Sequence, residues 1–184
     1  MSSTFRQRKY AAFFDHLDNN DDGVVDRHDW DRYAEIIRAE KGWSAREPQL
    51  EALVESTTVW WESMRSAFGV TEDEGIGRVQ FVAFCDRMAQ ELRAGGPPPQ
   101  WAIDMCIRTH QMLDSTGTGT VDASEYAVWL RAIGSSADPE EVFAKLDLDG
   151  DGVVSRDEMV TLLGQFFISE DPAEPGNYLL TGTF

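Results

Sequence analysis

Apolar residues recur at helical spacing along the chain, and strongly polar stretches separate them. Tyr10, Phe13, Phe14 and Leu17 fall at i, i+3, i+4 and i+7, and Trp30, Tyr33, Ile36 and Ile37 form a second stripe. This is the period of an amphipathic helix rather than of a strand. Between the two stripes lies DNNDDGVVDRHD, and its pattern returns three times. Aligned on glycine, the windows 18–29, 72–83, 114–125 and 147–158 read DNNDDGVVDRHD, EDEGIGRVQFVA, DSTGTGTVDASE and DLDGDGVVSRDE. Gly23, Gly77, Gly119 and Gly152 hold the sixth place, and Val25, Val79, Val121 and Val154 the eighth. Phe14, Phe68, His110 and Phe143 stand four residues ahead of the windows, and Trp30, Phe84, Tyr126 and Met159 follow them directly. The repeat predicts four helix–loop–helix units.

Breakers lie between the units: Gly42 to Pro48, the run Gly95-Gly96-Pro97-Pro98-Pro99, and Gly134 to Pro139. The glycine–proline run divides the chain into two paired halves, 1–94 and 100–168, followed by a tail, 169–184. In the last breaker Asp138 can cap a helix, with Pro139 at its first position and Glu141 reaching back from the third.

Composition sharpens this picture. At 184 residues and 42% apolar content, the chain can bury a sizeable core. No apolar run approaches the length of a membrane span, and no apolar segment precedes a cleavage site, so a cytoplasmic location is expected. The net charge of −17 argues against nucleic acid and anionic membranes as partners. The four windows hold 16 of the 33 acids but only three of the 16 basic residues, Arg27, Arg78 and Arg156. Such local acidity points to cations. Cys85 and Cys106 sit in helix-like apolar patterns without CxxC spacing and are expected to be buried free thiols.

A hard divalent cation takes six to eight oxygens, which a loop of this length supplies from its first, third, fifth, seventh, ninth and twelfth places. The last window offers Asp147, Asp149, Asp151, the Val153 carbonyl, Ser155 and a bidentate Glu158. The third offers Asp114, Thr116, Thr118, the Thr120 carbonyl, Asp122 and Glu125, with less charge and weaker expected binding. The first offers Asp18, Asn20, Asp22, the Val24 carbonyl and Asp26 but ends in Asp29, whose shorter reach favours six-coordination, which magnesium tolerates, so a mixed calcium and magnesium site is expected. The second window, with Glu72 first, Ile76 fifth and Ala83 last, lacks the ligands. It is expected to serve as structural partner to the first through a short two-stranded bridge, Val79 facing Val25, as Val121 faces Val154.

These loops match the EF-hand consensus. The order binding, degenerate, binding, binding, and the Asp29 ending of the first loop, resemble the sarcoplasmic calcium-binding proteins and their bacterial relatives, the calerythrins. The resemblance implies an all-α globule of four EF-hand units in two pairs, about three Ca2+ ions per chain, and a role as calcium buffer or transporter; Mg2+ in the first loop is the expectation from Asp29. The tail DPAEPGNYLLTGTF resembles the C-terminal segments of calcium-regulated photoproteins and luciferin-binding proteins, which implies a second role, calcium-triggered binding of a small apolar ligand. A third is a sensor acting on a target protein, although neither target nor ligand is indicated by the residues themselves. The six methionines are scattered, whereas Tyr178, Leu179, Leu180 and Phe184 of the tail can cover an apolar groove. His16, His28 and His110 stand in no nucleophile motif, so a monomeric non-enzyme is expected.

Overall fold

The computed structural model of the chain describes residues 4–71, 74–114 and 116–183. Eight α-helices and two antiparallel strand pairs lie among them. In chain order these are α1 (Phe5–Leu17), β1 (Val24–Val25), α2 (Arg27–Lys41), α3 (Pro48–Phe68), β2 (Ile76–Gly77), α4 (Arg78–Arg93), α5 (Gln100–Leu113), β3 (Thr120–Val121), α6 (Ala123–Ala132), α7 (Pro139–Leu146), β4 (Val154–Ser155) and α8 (Arg156–Ile168). A 3-10 helix, Pro175–Tyr178, follows. The fold is all-α with two-stranded bridges, as the repeat predicts.

Each unit is punctuated in the same way. The entering helices α1, α3, α5 and α7 end on C-caps Asp18, Gly69, Asp114 and Asp147. The exiting helices α2, α4, α6 and α8 begin after N-caps Asp26, Gly77, Asp122 and Ser155. The step from C-cap to N-cap is therefore eight residues in all four units. Asp138 caps α7 as expected, accepting from the Glu140 and Glu141 N–H groups, with Pro139 at the first position. The reciprocal bond from Glu141 is not among the hydrogen bonds of this cap.

This punctuation corrects the frame of the second loop. Val25 pairs with Ile76 and Val24 with Gly77, while Val121 pairs with Val154 as expected. Ile76, not Val79, therefore holds the eighth place, and the loop runs over 69–80, three residues earlier than its glycine suggested. Val79 is 84% exposed on α4, whereas Ile76 is fully buried. Backbone geometry agrees: Gly23, Gly119 and Gly152 sit at φ 89°, 85° and 90°, the left-handed turn that only glycine adopts at little cost, whereas Gly77 is at φ −73° as a helix N-cap. In the corrected frame Gly69 is first and Gln80 twelfth, and Phe81 follows the loop where Phe84 was expected to. Glu72 and its neighbour Asp73 lie outside the described residues.

One continuous core runs from Tyr10 to Leu180. Phe13 meets Phe81 and Phe166 edge-on at 5.9 and 5.8 Å, and Tyr33 meets Trp129 at 5.8 Å, joining α2 to α6. Cys85 and Cys106 are buried and free. His110 is buried, with Nε2 3.1 Å from the Val154 carbonyl oxygen, a core residue tying α5 to β4.

The tail docks on this core. Leu179 and Leu180 are buried, and the Tyr126 hydroxyl donates to the carbonyls of Leu179 at 2.9 Å and Tyr178 at 3.3 Å. A Cβ added at Gly176 would stand 2.3 Å from the Leu162 carbonyl oxygen, so only glycine lets the turn lie this close to α8. Lys9, fully buried on α1, donates to Asn177 Oδ1 at 2.8 Å and to the Ser169 and Gln165 carbonyls at 3.0 and 3.4 Å. Phe184 lies outside the described residues.

Candidate metal-binding loops

Three loops share one hydrogen-bond scheme. The first-place carboxylate folds back onto the turn: Asp18 accepts from the Asp22 and Gly23 N–H groups at 3.1 and 2.9 Å. Asp114 does the same for Thr118 and Gly119 at 2.9 and 2.8 Å, and Asp147 for Asp151 and Gly152 at 3.2 and 2.8 Å. The twelfth-place carboxylate bridges the two ends of its loop. Asp29 accepts from Asn19 N–H at 3.2 Å and Asp26 N–H at 2.9 Å, Glu125 from Thr116 and Asp122 at 3.0 and 3.1 Å, and Glu158 from Leu148 and Ser155 at 2.9 and 2.8 Å.

The last residue of each loop thus completes a capping box with the ninth, Asp26, Asp122 or Ser155. Helix capping and the ligand placement expected from the sequence fall on the same residue pair. In the second loop Gln80 takes the twelfth place and accepts from Gly77 N–H at 3.0 Å. The cap survives there with a neutral amide, and the first place, Gly69, has no side chain to offer.

The predicted ligand atoms converge to different degrees. One carboxylate oxygen each of Asp147, Asp149 and Asp151 lies within 4.8 Å of the others, and the Val153 N–H binds Asp151 Oδ1 at 3.0 Å. In the third loop Thr116 Oγ1 is 3.5 Å from Asp114 Oδ1 and 3.3 Å from Thr118 Oγ1, which donates to the Thr120 carbonyl at 3.3 Å. In the first loop Asn20 Oδ1 accepts from Asp22 N–H at 3.0 Å, and Asp22 Oδ1 from Val24 N–H at 3.0 Å. At the fourth place, Gly117 and Gly150 adopt φ 71° and 76°, but Asp21 adopts φ 57°. This left-handed aspartate was not foreseen, although the glycines at the same place in its two sister loops were the available signal.

Asp29, Glu125 and Asp18 are 2%, 5% and 7% exposed, and burying several carboxylates together is costly without a compensating charge. Burial pushes the Asp29 carboxyl up to about 6, with Asp26 and Asp18 adding repulsion and the Asp26 and Asn19 N–H groups opposing. Burial also opposes the Glu158 charge, but hydrogen bonds from the Ser155 N–H and hydroxyl and from Leu148 outweigh it and hold that carboxyl below its usual value. A divalent cation would relieve the crowding in the first loop and use the charge already stabilised in the last.

Comparison with known proteins agrees with this geometry. The family description "EF-hand domain pair" matches residues 105–164, which contain the third and fourth loops. Over these residues the chain is similar to an EF-hand domain pair. It is similar to calerythrin of Saccharopolyspora erythraea, with 27% identity over 173 residues spanning 90% of this chain and 94% of that one. A solved structure of a calcium-binding protein from Streptomyces coelicolor superposes with a TM-score of 0.72 at 27% identity, covering 88% of this chain and 97% of that one. The coelenterazine-binding protein of Renilla muelleri shares the fold over 100% of both chains, with a TM-score of 0.73 at 18% identity.

Proposed function

We propose that this EF-hand protein binds three calcium ions, at loops 18–29, 114–125 and 147–158, and acts as a calcium buffer or transporter whose apolar surface stays closed. The hydrogen-bond scheme common to the three loops carries the reading. It preorganises carboxylates at the first and twelfth places, and the second loop retains the scheme only in its neutral half. Residues 1–94 and 100–168 form the two EF-hand pairs, and loop 69–80 serves as scaffold for the first loop through the β1–β2 bridge. The first loop admits magnesium because Asp29 is one methylene shorter than Glu125 and Glu158 at the same place and has less reach for the bidentate contact that calcium favours.

The docked tail supports a buffer over a sensor. A sensor opens a methionine-rich groove on binding calcium, but Met64, Met88, Met112 and Met159 are buried here. Storage of a small apolar ligand inside the aromatic core finds less support. The core cavity between Phe13, Trp30, Tyr33, Trp129, Leu179 and Leu180 has about 40 Å³ of room, enough for one or two waters and far below the roughly 300 Å³ that small-molecule sites occupy. No helix among the described residues is long and apolar enough to cross a membrane, and the proposed setting is a cytosolic monomer. No catalytic role is proposed: burial pushes the Cys85 thiol up and that of Cys106 up to about 12, which keeps both from acting as nucleophiles. Hydrophobic-dye binding tests the role. The buffer reading expects less dye bound with calcium than with chelator, and more dye with calcium would establish a sensor instead.

A further inference from the structure

Resting on the three-site reading, we propose that Lys41, contributed by the N-terminal half, lowers the calcium affinity of the third loop by placing a fixed positive charge beside it. Lys41 is the last residue of α2, the helix that leaves the first loop, and Gly42 turns the chain away at φ 64°. The ammonium group reaches across to the other half and donates to the Leu113 carbonyl at 3.3 Å. Leu113 ends α5 and is bonded directly to Asp114, the first place of the third loop. An ion pair from Arg131 to Glu40 at 3.1 Å links the end of α2, next to Lys41, to α6.

The electrostatic surroundings agree. Burial lowers the Lys41 pKa, Glu125 opposes that fall, Arg131 adds to it, and Asp114 and Asp122 oppose it. These three carboxylates are the whole formal charge of the third loop, which the threonines at its third and fifth places have already thinned. One lysine therefore offsets one of the three formal negative charges that draw a cation in. It steadies the empty loop and repels the ion, and the third site becomes the weak member of its pair. The same contact also satisfies a carbonyl at the end of α5, where a cation favours the helix, so the test must separate charge from capping.

Lys41→Gln keeps a donor and removes the charge, and Lys41→Arg keeps the charge. Calcium titrations followed by the amide resonances of Gly119 and Gly152 read the third and fourth loops separately, and the same spectra report folding. The expected result is a third-loop constant tightened roughly fivefold in Lys41→Gln at low salt. It should move little in Lys41→Arg, and the gain should shrink at about 1 M salt. A wild-type protein that fills three sites and a Lys41→Gln protein with an unchanged Gly119 titration would overturn this inference alone. A Gly119 resonance that never responds to calcium in the wild type would overturn the three-site reading and this inference with it.

Discussion

Replacing Lys9 by methionine perturbs the tie between α1 and the tail, and its effect has a predictable pH dependence. Lys9 is fully buried, and burial lowers its pKa from 10.5 to about 8, with Glu170 opposing. Because the folded pKa lies below the unfolded one, the unfolded chain binds more protons between these values, and stability rises with pH there. Below about pH 8 the cost of the buried charge is fully present. Above 10.5 it is gone. The gap corresponds to about 3.4 kcal/mol at 1.36 kcal/mol per pH unit, of which about 2 kcal/mol is recovered between pH 7 and 9.5. Methionine has no charge to bury but leaves Asn177 Oδ1 and two carbonyls without their donor, a pH-independent loss of about 1–3 kcal/mol. The stability of wild type relative to Lys9→Met should therefore grow by about 2 kcal/mol from pH 7 to 9.5. Taking the difference cancels the titration of every other group. Urea unfolding at saturating calcium, with both proteins at each pH, measures it. A difference that stays flat or falls would refute the account of Lys9 as a buried, charged tie.

Three further outcomes follow from the same geometry. Tyr126→Phe removes the hydroxyl that binds the Leu179 and Tyr178 carbonyls and should cost about 1–3 kcal/mol, lowering Tm by roughly 2–4 °C per kcal/mol and exposing the tail to protease; an unchanged melting curve would contradict the docked tail. Ala83→Glu should leave the number of bound ions unchanged because Ala83 lies within α4, whereas Gly69→Asp, Glu74→Gly and Gln80→Glu together should add one; calorimetry finding the reverse would restore the glycine-based frame. Asp29→Glu should raise the preference of the first site for calcium over magnesium about tenfold, or about 1.4 kcal/mol, and an unaltered ratio in competition titrations would remove Asp29 as its cause.

Most of the fold is legible in the sequence because the information is local and repeated. Helical stripes, loop acids and the capping pairs Asp26–Asp29, Asp122–Glu125 and Ser155–Glu158 lie within a few residues of one another, and three loops reinforce each other. The second loop misled because glycine is a weak anchor: Gly77 and Val79 reproduce the Gly-x-Val spacing of the other loops by coincidence. The apolar stripe Phe81, Phe84, Cys85 and Met88 carried the true frame, since its first member should follow the loop directly, as Trp30 does in the first unit. Lys9 and Lys41 were not legible at all. Their partners, Asn177 and Leu113, lie 168 and 72 residues away, and no local pattern marks a lysine as buried or as neighbour to a distant loop. Docking of the tail was an expectation from its apolar residues alone, and the Tyr126 and Lys9 contacts supply its physical basis.

The central claim is that three loops bind and the second, 69–80, only braces its partner. Isothermal titration of metal-free protein with calcium, checked by the ion content of the dialysed complex, tests it most directly. The account predicts three ions per chain, with the count falling to two in Glu158→Gln as the last loop loses its bidentate carboxylate. A count of four, or a wild-type count of two that Glu158→Gln leaves unchanged, would contradict it.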